Sequence, residues 1–215
     1  MRHYLIVTII AFLALLTYTV YRPATPPSTM NPADWSDALI ADGAFLSESS
    51  VLEKGHLEQR RIISTTCVNA KLCHRLISQL LTLEQLAPGK PIDLYLRSDG
   101  GWEGDIFAVI DVMHSINSPV HIHAMGDVCS AGAMLLTAAT GERVAYPHSI
   151  ISYHSLTDDE LQHNMDRYQS FWRTYSEIPE DWILDTSDEF YDMNAQEALQ
   201  NKVIDRIQSS VHSTK

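Results

Sequence analysis

The sequence predicts an α/β layered domain whose strands are joined by crossover connections, and two observations carry that prediction. Short strand-like runs recur between longer runs with helical spacing, in the order strand, helix, strand, helix. The chain of 215 residues suits one domain with a substantial core and is short for two.

The elements follow in order. Arg61 to Thr65 reads as a short apolar strand. Asn69 to Leu86 has helical spacing, with Leu72, Leu76, Leu80 and Leu83 at i+4 and i+3 steps. Ile92, Leu94 and Leu96 alternate with Asp93, Tyr95 and Arg97, the period of a half-buried strand. From Glu103 the period is helical again, and Ile106, Val109, Ile110, Met113 and Ile116 form one apolar face. Val120 to Met125 is the next strand. It leads into a turn of very small residues, Cys129 to Ala133, and a helix-forming run, Ala133 to Ala139. Two β-like runs follow, Arg143 to Tyr146 and Ile150 to Tyr153, the second ending on His154. The acidic run Asp158-Asp159-Glu160 then opens a helix with Leu161, Met165, Tyr168, Trp172 and Tyr175 as its apolar positions, acidic residues being suited to the positive end of a helix dipole. That aromatic stripe reads as core or as an oligomer contact. Asn194 to Glu197 reads as an N-cap with an acidic N3 partner, followed by a helix to Gln200 and a short strand, Val203 to Ile207.

The ends of the chain differ from this body. Leu5 to Tyr21 is almost wholly apolar, with Arg2 before it and Tyr4, Tyr18 and Tyr21 at its edges. Residues 1–22 are therefore expected to be an uncleaved transmembrane signal anchor, with the remainder outside the cytoplasm, in a periplasmic-type compartment. Residues 23–57 are expected to be a Pro/Ser-rich tether followed by a stretch with no clear period. The domain proper is expected over 58–208, with 209–215 as a tail. A net charge of −12 with no Lys/Arg cluster argues against nucleic acid as a partner. Cys67 and Cys73 would form a disulfide in an oxidising compartment or remain separate thiols, and Cys129 reads as a small core residue. His121 and His123 share one face of a strand, but no third ligand stands at a suitable spacing. No metal or cofactor is expected.

Chemistry concentrates between Gly126 and His154. Ser130 lies at a strand-to-helix turn, where it is expected to be held exposed, with the N–H of Ala131 at the helix start, a position that favours negative charge. Small-residue turns are common, and ten histidines make a chance serine–histidine pair easy. A third segment, Ser98-Asp99-Gly100-Gly101, raises the significance of the pair. Two glycines after a strand let the backbone turn and bring an N–H against a bound oxygen.

In order, these three segments resemble those of the proteolytic subunit of the Clp protease, within the ClpP/crotonase superfamily. Ser98 to Gly101 corresponds to the family's Ser-Pro-Gly-Gly, with Asp99 in place of proline. Gly126 to Ala133 corresponds to its nucleophile segment, Pro147 to His154 to its base segment, and Leu76 to Gln85 to its first long helix. The resemblance runs from about Arg60 to about Ile207. It implies a ClpP/crotonase-like fold of repeated β-β-α units and a serine-type endopeptidase without a cofactor. Ser130 would be the nucleophile and His154 the base. Gly101 and Ala131 would supply the oxyanion N–H groups, and Gly100, Trp102 and Ser155 would bind substrate. A peptide or unfolded protein would lie as an added strand, and the subunit would form a homo-oligomer. Between His154 and Ala195 the chain is shorter than the family's ring-joining handle.

The acid is the least determined member. Counting back from Asn194 places Phe190 where the family has its aspartate. Asp188 and Asp192 lie two residues to either side and share a face in an extended segment. A two-residue insertion makes Asp188 the match, and Asp192 or no acid is the alternative. Three other readings stand beside the endopeptidase. A catalytically impaired scaffold at the membrane is one, and a crotonase-type acyl-CoA enzyme is another. A Ser/Lys enzyme of the signal peptide peptidase A type is the third, opposed by the lack of any lysine between Lys90 and Lys202.

Overall fold

A computed structural model describes residues 48–154, 162–185 and 189–209. The expected anchor and most of the tether, Ser155, the acidic run 158–160, Leu161, Asp188 and the end of the tail lie outside the described residues. Among the described residues no helix is long and apolar enough to cross a membrane.

The described chain is one mixed α/β body. Its elements are α1 (Glu48–Glu58), β1 (Arg61–Ser64), α2 (Ala70–Leu86), β2 (Ile92–Ser98), α3 (Glu103–Ser115), β3 (Val120–Cys129), α4 (Ala131–Thr137), β4 (Arg143–Ala145), β5 (Ile150–His154), α5 (Gln162–Tyr175), α6 (Glu180–Leu184), β6 (Phe190–Asn194), α7 (Ala195–Gln200) and β7 (Arg206–Ile207). The parallel path is β1-β2-β3-β4-β7. β5 runs parallel to the second half of β3, and β6 pairs antiparallel with β5.

The leucines of α2 meet their expected fate: Leu72, Leu76, Leu80 and Leu83 are buried against the sheet, as are Ile106, Val109, Ile110 and Met113 of α3. Asn69 caps α2 by accepting a hydrogen bond from the Leu72 N–H at 3.0 Å. The capping box at α7 forms as expected, with Asn194 and Glu197 each accepting a backbone N–H of the other.

Two features depart from the sequence reading, and two that it left open are decided. The segment without a period contains α1, whose Leu57 is buried in the core. β3 does not stop at Met125 but continues to Cys129. Its register against β2 shifts, with Leu96 opposite Ala124 and Ser98 opposite Val128, so β3 carries a bulge. Gly126 lies in that bulge at φ 61°. The bulge divides β3 between two partners: Ile122–Ala124 pairs with β4, and Asp127–Cys129 pairs with β5. Cys67 and Cys73 are separate thiols, Cys67 exposed and Cys73 buried. The Cys73 thiol is pushed up to about 11, chiefly by burial. Finally, the aromatic stripe of α5 is core: Tyr168, Phe171 and Trp172 are all buried, with Tyr168 and Trp172 packed on Tyr153 of β5 and Phe171 on Trp172.

Candidate active site

The second half of β3 delivers Ser130 to the start of α4. Ser130 has φ 51° and ψ −123°, a conformation that costs a non-glycine residue about 1 to 3 kcal/mol and persists only where its surroundings enforce it. Here they do. Its N–H donates to the Ser152 carbonyl at 2.9 Å, and its own carbonyl accepts from the Met134 N–H at 3.0 Å. Contrary to the expectation of an exposed serine, Ser130 is only 7% accessible. The glycine segment and His154 cover it.

His154 ends β5. Its Nε2 lies 2.8 Å from Ser130 Oγ, within reach for proton transfer. Contacts to its backbone and to its ring help to hold the histidine. Tyr168 Oη donates to its backbone carbonyl at 2.6 Å, so a buried residue of α5 fixes the end of the strand. Phe190, directly opposite in the β5–β6 register, stacks on the imidazole with ring centroids 4.6 Å apart and 29° between planes.

The segment after β2 fits closely against both neighbours. A side chain on Gly100 would place its Cβ 2.7 Å from Ser130 Cβ, and one on Gly101 would fall 1.9 Å from the Val68 carbonyl oxygen, with φ at 147°. Only glycine fits at Gly101. The Gly100 carbonyl accepts the Val68 N–H at 2.7 Å, and its N–H donates to Ser98 Oγ at 3.2 Å. Asp99 turns outward to Arg97, at 2.7 Å. Trp102 stands beyond the glycines at the start of α3, 69% exposed. Ala131 is the first residue of α4, where helix N–H groups lack intrahelical partners.

Asp192 Oδ1 accepts a hydrogen bond from Ser152 Oγ at 2.5 Å, two residues along the strand from His154. Asp188 and Ser155 lie outside the described residues. Cys129, half-buried beside the nucleophile, has its thiol pushed up, mainly by burial and against a hydrogen bond with Ser152. It is a protonated neighbour at neutral pH. Of the two strand histidines, His123 meets Asp93 at 2.8 Å and His121 Nδ1 accepts the Glu142 N–H at 2.8 Å. No group of three or more metal-ligating side chains occurs among the described residues.

The sequence reading missed the contacts of Tyr168, Ser152 and Phe190 with this centre. Each depends on which strands pair, and in what register, so none left a local signal.

A family model described as Clp protease matches residues 47–211. The chain belongs to the Clp protease family. ATP-dependent Clp protease proteolytic subunit 1 of Chlamydia pneumoniae is 39% identical over 116 residues, 54% of this chain and 61% of that protein. Proteolytic subunit 2 of Treponema denticola is 36% identical over 97 residues, 45% and 48% of the two chains. Proteolytic subunit 2 of Chlamydia muridarum is 28% identical over 173 residues, 74% and 85%. The matched stretch thus spans 61% and 48% of the first two relatives. In this Clp protease family chain, the match includes α1 along with every element that carries the Ser130 centre.

Proposed function

We propose that this Clp-family chain is a serine-type endopeptidase acting through Ser130 and His154. The observation that carries the reading is the 2.8 Å approach of His154 Nε2 to Ser130 Oγ at a strained strand-to-helix turn beside Gly100 and Gly101. Ser130 Oγ attacks the peptide carbonyl while His154 Nε2 takes its proton, then passes it to the leaving amine. Water reverses the sequence to release the acyl group. The N–H groups of Gly101 and Ala131 are the proposed oxyanion donors, each worth about 3 to 4 kcal/mol in such a site. Asp188 is the proposed acid on the two-residue insertion that aligns it with the family's aspartate, while Asp192 stands opposite Ser152 rather than His154 in the β5–β6 register. The substrate is a peptide or unfolded segment added as a strand beside Gly100 and Trp102, with Ser155 as a further proposed substrate-binding residue. A crotonase-type acyl-CoA enzyme would have no use for the Ser130–His154 contact.

The names of the relatives describe proteolytic subunits of an ATP-dependent protease. For this chain the proposal is a homo-oligomeric peptidase that cleaves short peptides without ATP. Residues 1–22 are proposed, on sequence alone, as a membrane anchor that places the domain over 58–208 outside the cytoplasm. Retention of the full chain in carbonate-washed membranes tests the anchor, and release into the wash refutes it.

The test of the chemistry is covalent labelling of the full chain by a fluorophosphonate probe. Labelling on Ser130 is expected, with none in Ser130→Ala and a loss on the order of 10³-fold or more in His154→Ala. A folded chain that the probe does not label would favour the scaffold reading.

A further inference from the structure

We propose that Phe190 is a positioning residue for His154, its ring holding the imidazole in the orientation that faces Ser130. The inference rests on the serine–histidine reading above. β6 runs antiparallel to β5, and the register sets Phe190 directly across from His154. Its ring lies over the imidazole at 4.6 Å and 29°. The ring remains 54% exposed and lies outside the buried core cluster, so filling the interior does not explain its place. The strand that carries it is anchored next door: Tyr191 Oη donates to Asp185 Oδ2 at 2.7 Å, and the Tyr191 ring stacks on Trp182 at 4.6 Å.

Two physical consequences follow from a ring on this face. Contact across the plane restrains rotation of the imidazole while leaving its edge, with Nε2, turned to Ser130 Oγ. When His154 accepts the serine proton it becomes a cation beneath the negative face of an aromatic ring, which favours the charged form. Both effects assist the step in which the serine proton moves. An aliphatic side chain of similar size would cover the same surface but supply neither a flat stacking face nor a quadrupole.

The test compares the rate at which a fluorophosphonate phosphonylates Ser130 in the full chain. In that reaction Oγ forms a bond to phosphorus, fluoride leaves, and the serine proton passes to His154. Phe190→Leu is expected to lower this rate about tenfold, whereas Phe190→Tyr and Phe190→Trp remain within about threefold of the parent chain. Melting temperatures of the three variants establish that each is folded, and exposure of the side chain makes all three tolerable. A Leu variant as fast as the parent overturns the proposal, as do Tyr and Trp variants as slow as Leu, because apolar cover alone would then account for the contact. If the parent chain is not labelled at Ser130 at all, the serine–histidine reading itself fails. If it is labelled while Phe190→Leu is unchanged, only the role of Phe190 fails.

Discussion

The wall that carries Ser130 and the wall that carries His154 meet at one 2.8 Å contact but are held by different means. The serine wall belongs to the middle of the sheet. Ser98 and Val128 are buried, every residue of α4 is buried, and Gly100 and Gly101 are pressed against Ser130 and Val68. The histidine wall is the β5–β6 pair at the sheet margin. There His154 is half-buried, Phe190 is exposed, and the contacts of the histidine include the Ser130 hydroxyl, the Tyr168 hydroxyl and the Phe190 ring. The nucleophile is held by packing in the middle of the sheet, whereas the base stands at the margin and is held through side-chain contacts. Substitutions in the first wall should therefore act through folding, and those in the second through rate.

Gly101→Ala tests the first half of that statement and carries the largest expected loss of stability. The new Cβ would sit 1.9 Å from a backbone carbonyl at a φ of 147°, and backbone cannot yield as a side-chain tip does. A cost of about 2 to 4 kcal/mol is expected, seen as a lower melting temperature together with lost labelling. An alanine variant that melts like the parent would show the serine wall to be softer than the comparison holds.

For the base, substitution of the proposed acid, Asp188→Asn, is expected to slow probe labelling by up to about 10⁴-fold with little change in melting temperature. Asp192→Asn keeps an oxygen that can accept the Ser152 hydroxyl, so it should only weaken that bond and remain within about tenfold of the parent. The reverse order would transfer the acid role to Asp192.

The same contrast explains what could be read from the sequence. The serine wall is built from contiguous motifs, Ser98 to Gly101 and Gly126 to Ala133, so residue types at fixed spacing were enough to find it. The leucine ladder of α2 and the alternation of β2 were legible for the same reason. β3 was cut short because Gly126 and Asp127 interrupt its alternation, yet the bulge they form is what turns the strand toward β5. α1 escaped notice because Leu57 is buried while Leu52 stays 67% exposed, leaving little period to detect. Phe190 looked like a mismatch because an acid was sought by counting. Its value to His154 lies in cross-strand register, which pairing between distant segments sets and local pattern does not record.

Tyr168→Phe is a smaller perturbation of the histidine wall. It deletes one part-buried hydrogen bond, 2.6 Å to the His154 carbonyl, and leaves the aromatic packing of α5 intact. A loss of about 1 kcal/mol in stability and several-fold slower labelling are expected. An unchanged rate with lowered stability would mean that α5 supports the core without steering His154.

The smallest expected effect on labelling belongs to Glu84, at the end of α2 and remote from both walls in the hydrogen-bond pattern. Its carboxylate accepts bonds from the Ser118 hydroxyl at 2.6 Å, the Ser118 N–H at 3.0 Å and the Asn117 side chain at 3.1 Å, joining α2 to the turn before β3. Chiefly through Ser118, and against some burial, these bonds hold the carboxyl down at about 2, from an ordinary 4.5. Because the folded state binds the proton less readily, the stabilisation is complete above the unfolded value. It is lost as pH falls from about 4.5 toward 2. Glu84→Gln should therefore lower the melting temperature at pH 7 and flatten its decline in that acid window, while the Ser130 labelling rate at pH 7 stays at the parent level. A parallel fall in that rate would mean that the α2–β3 junction and the histidine wall are mechanically coupled, and the division between a packing-held nucleophile and a contact-held base would have to be redrawn around that junction.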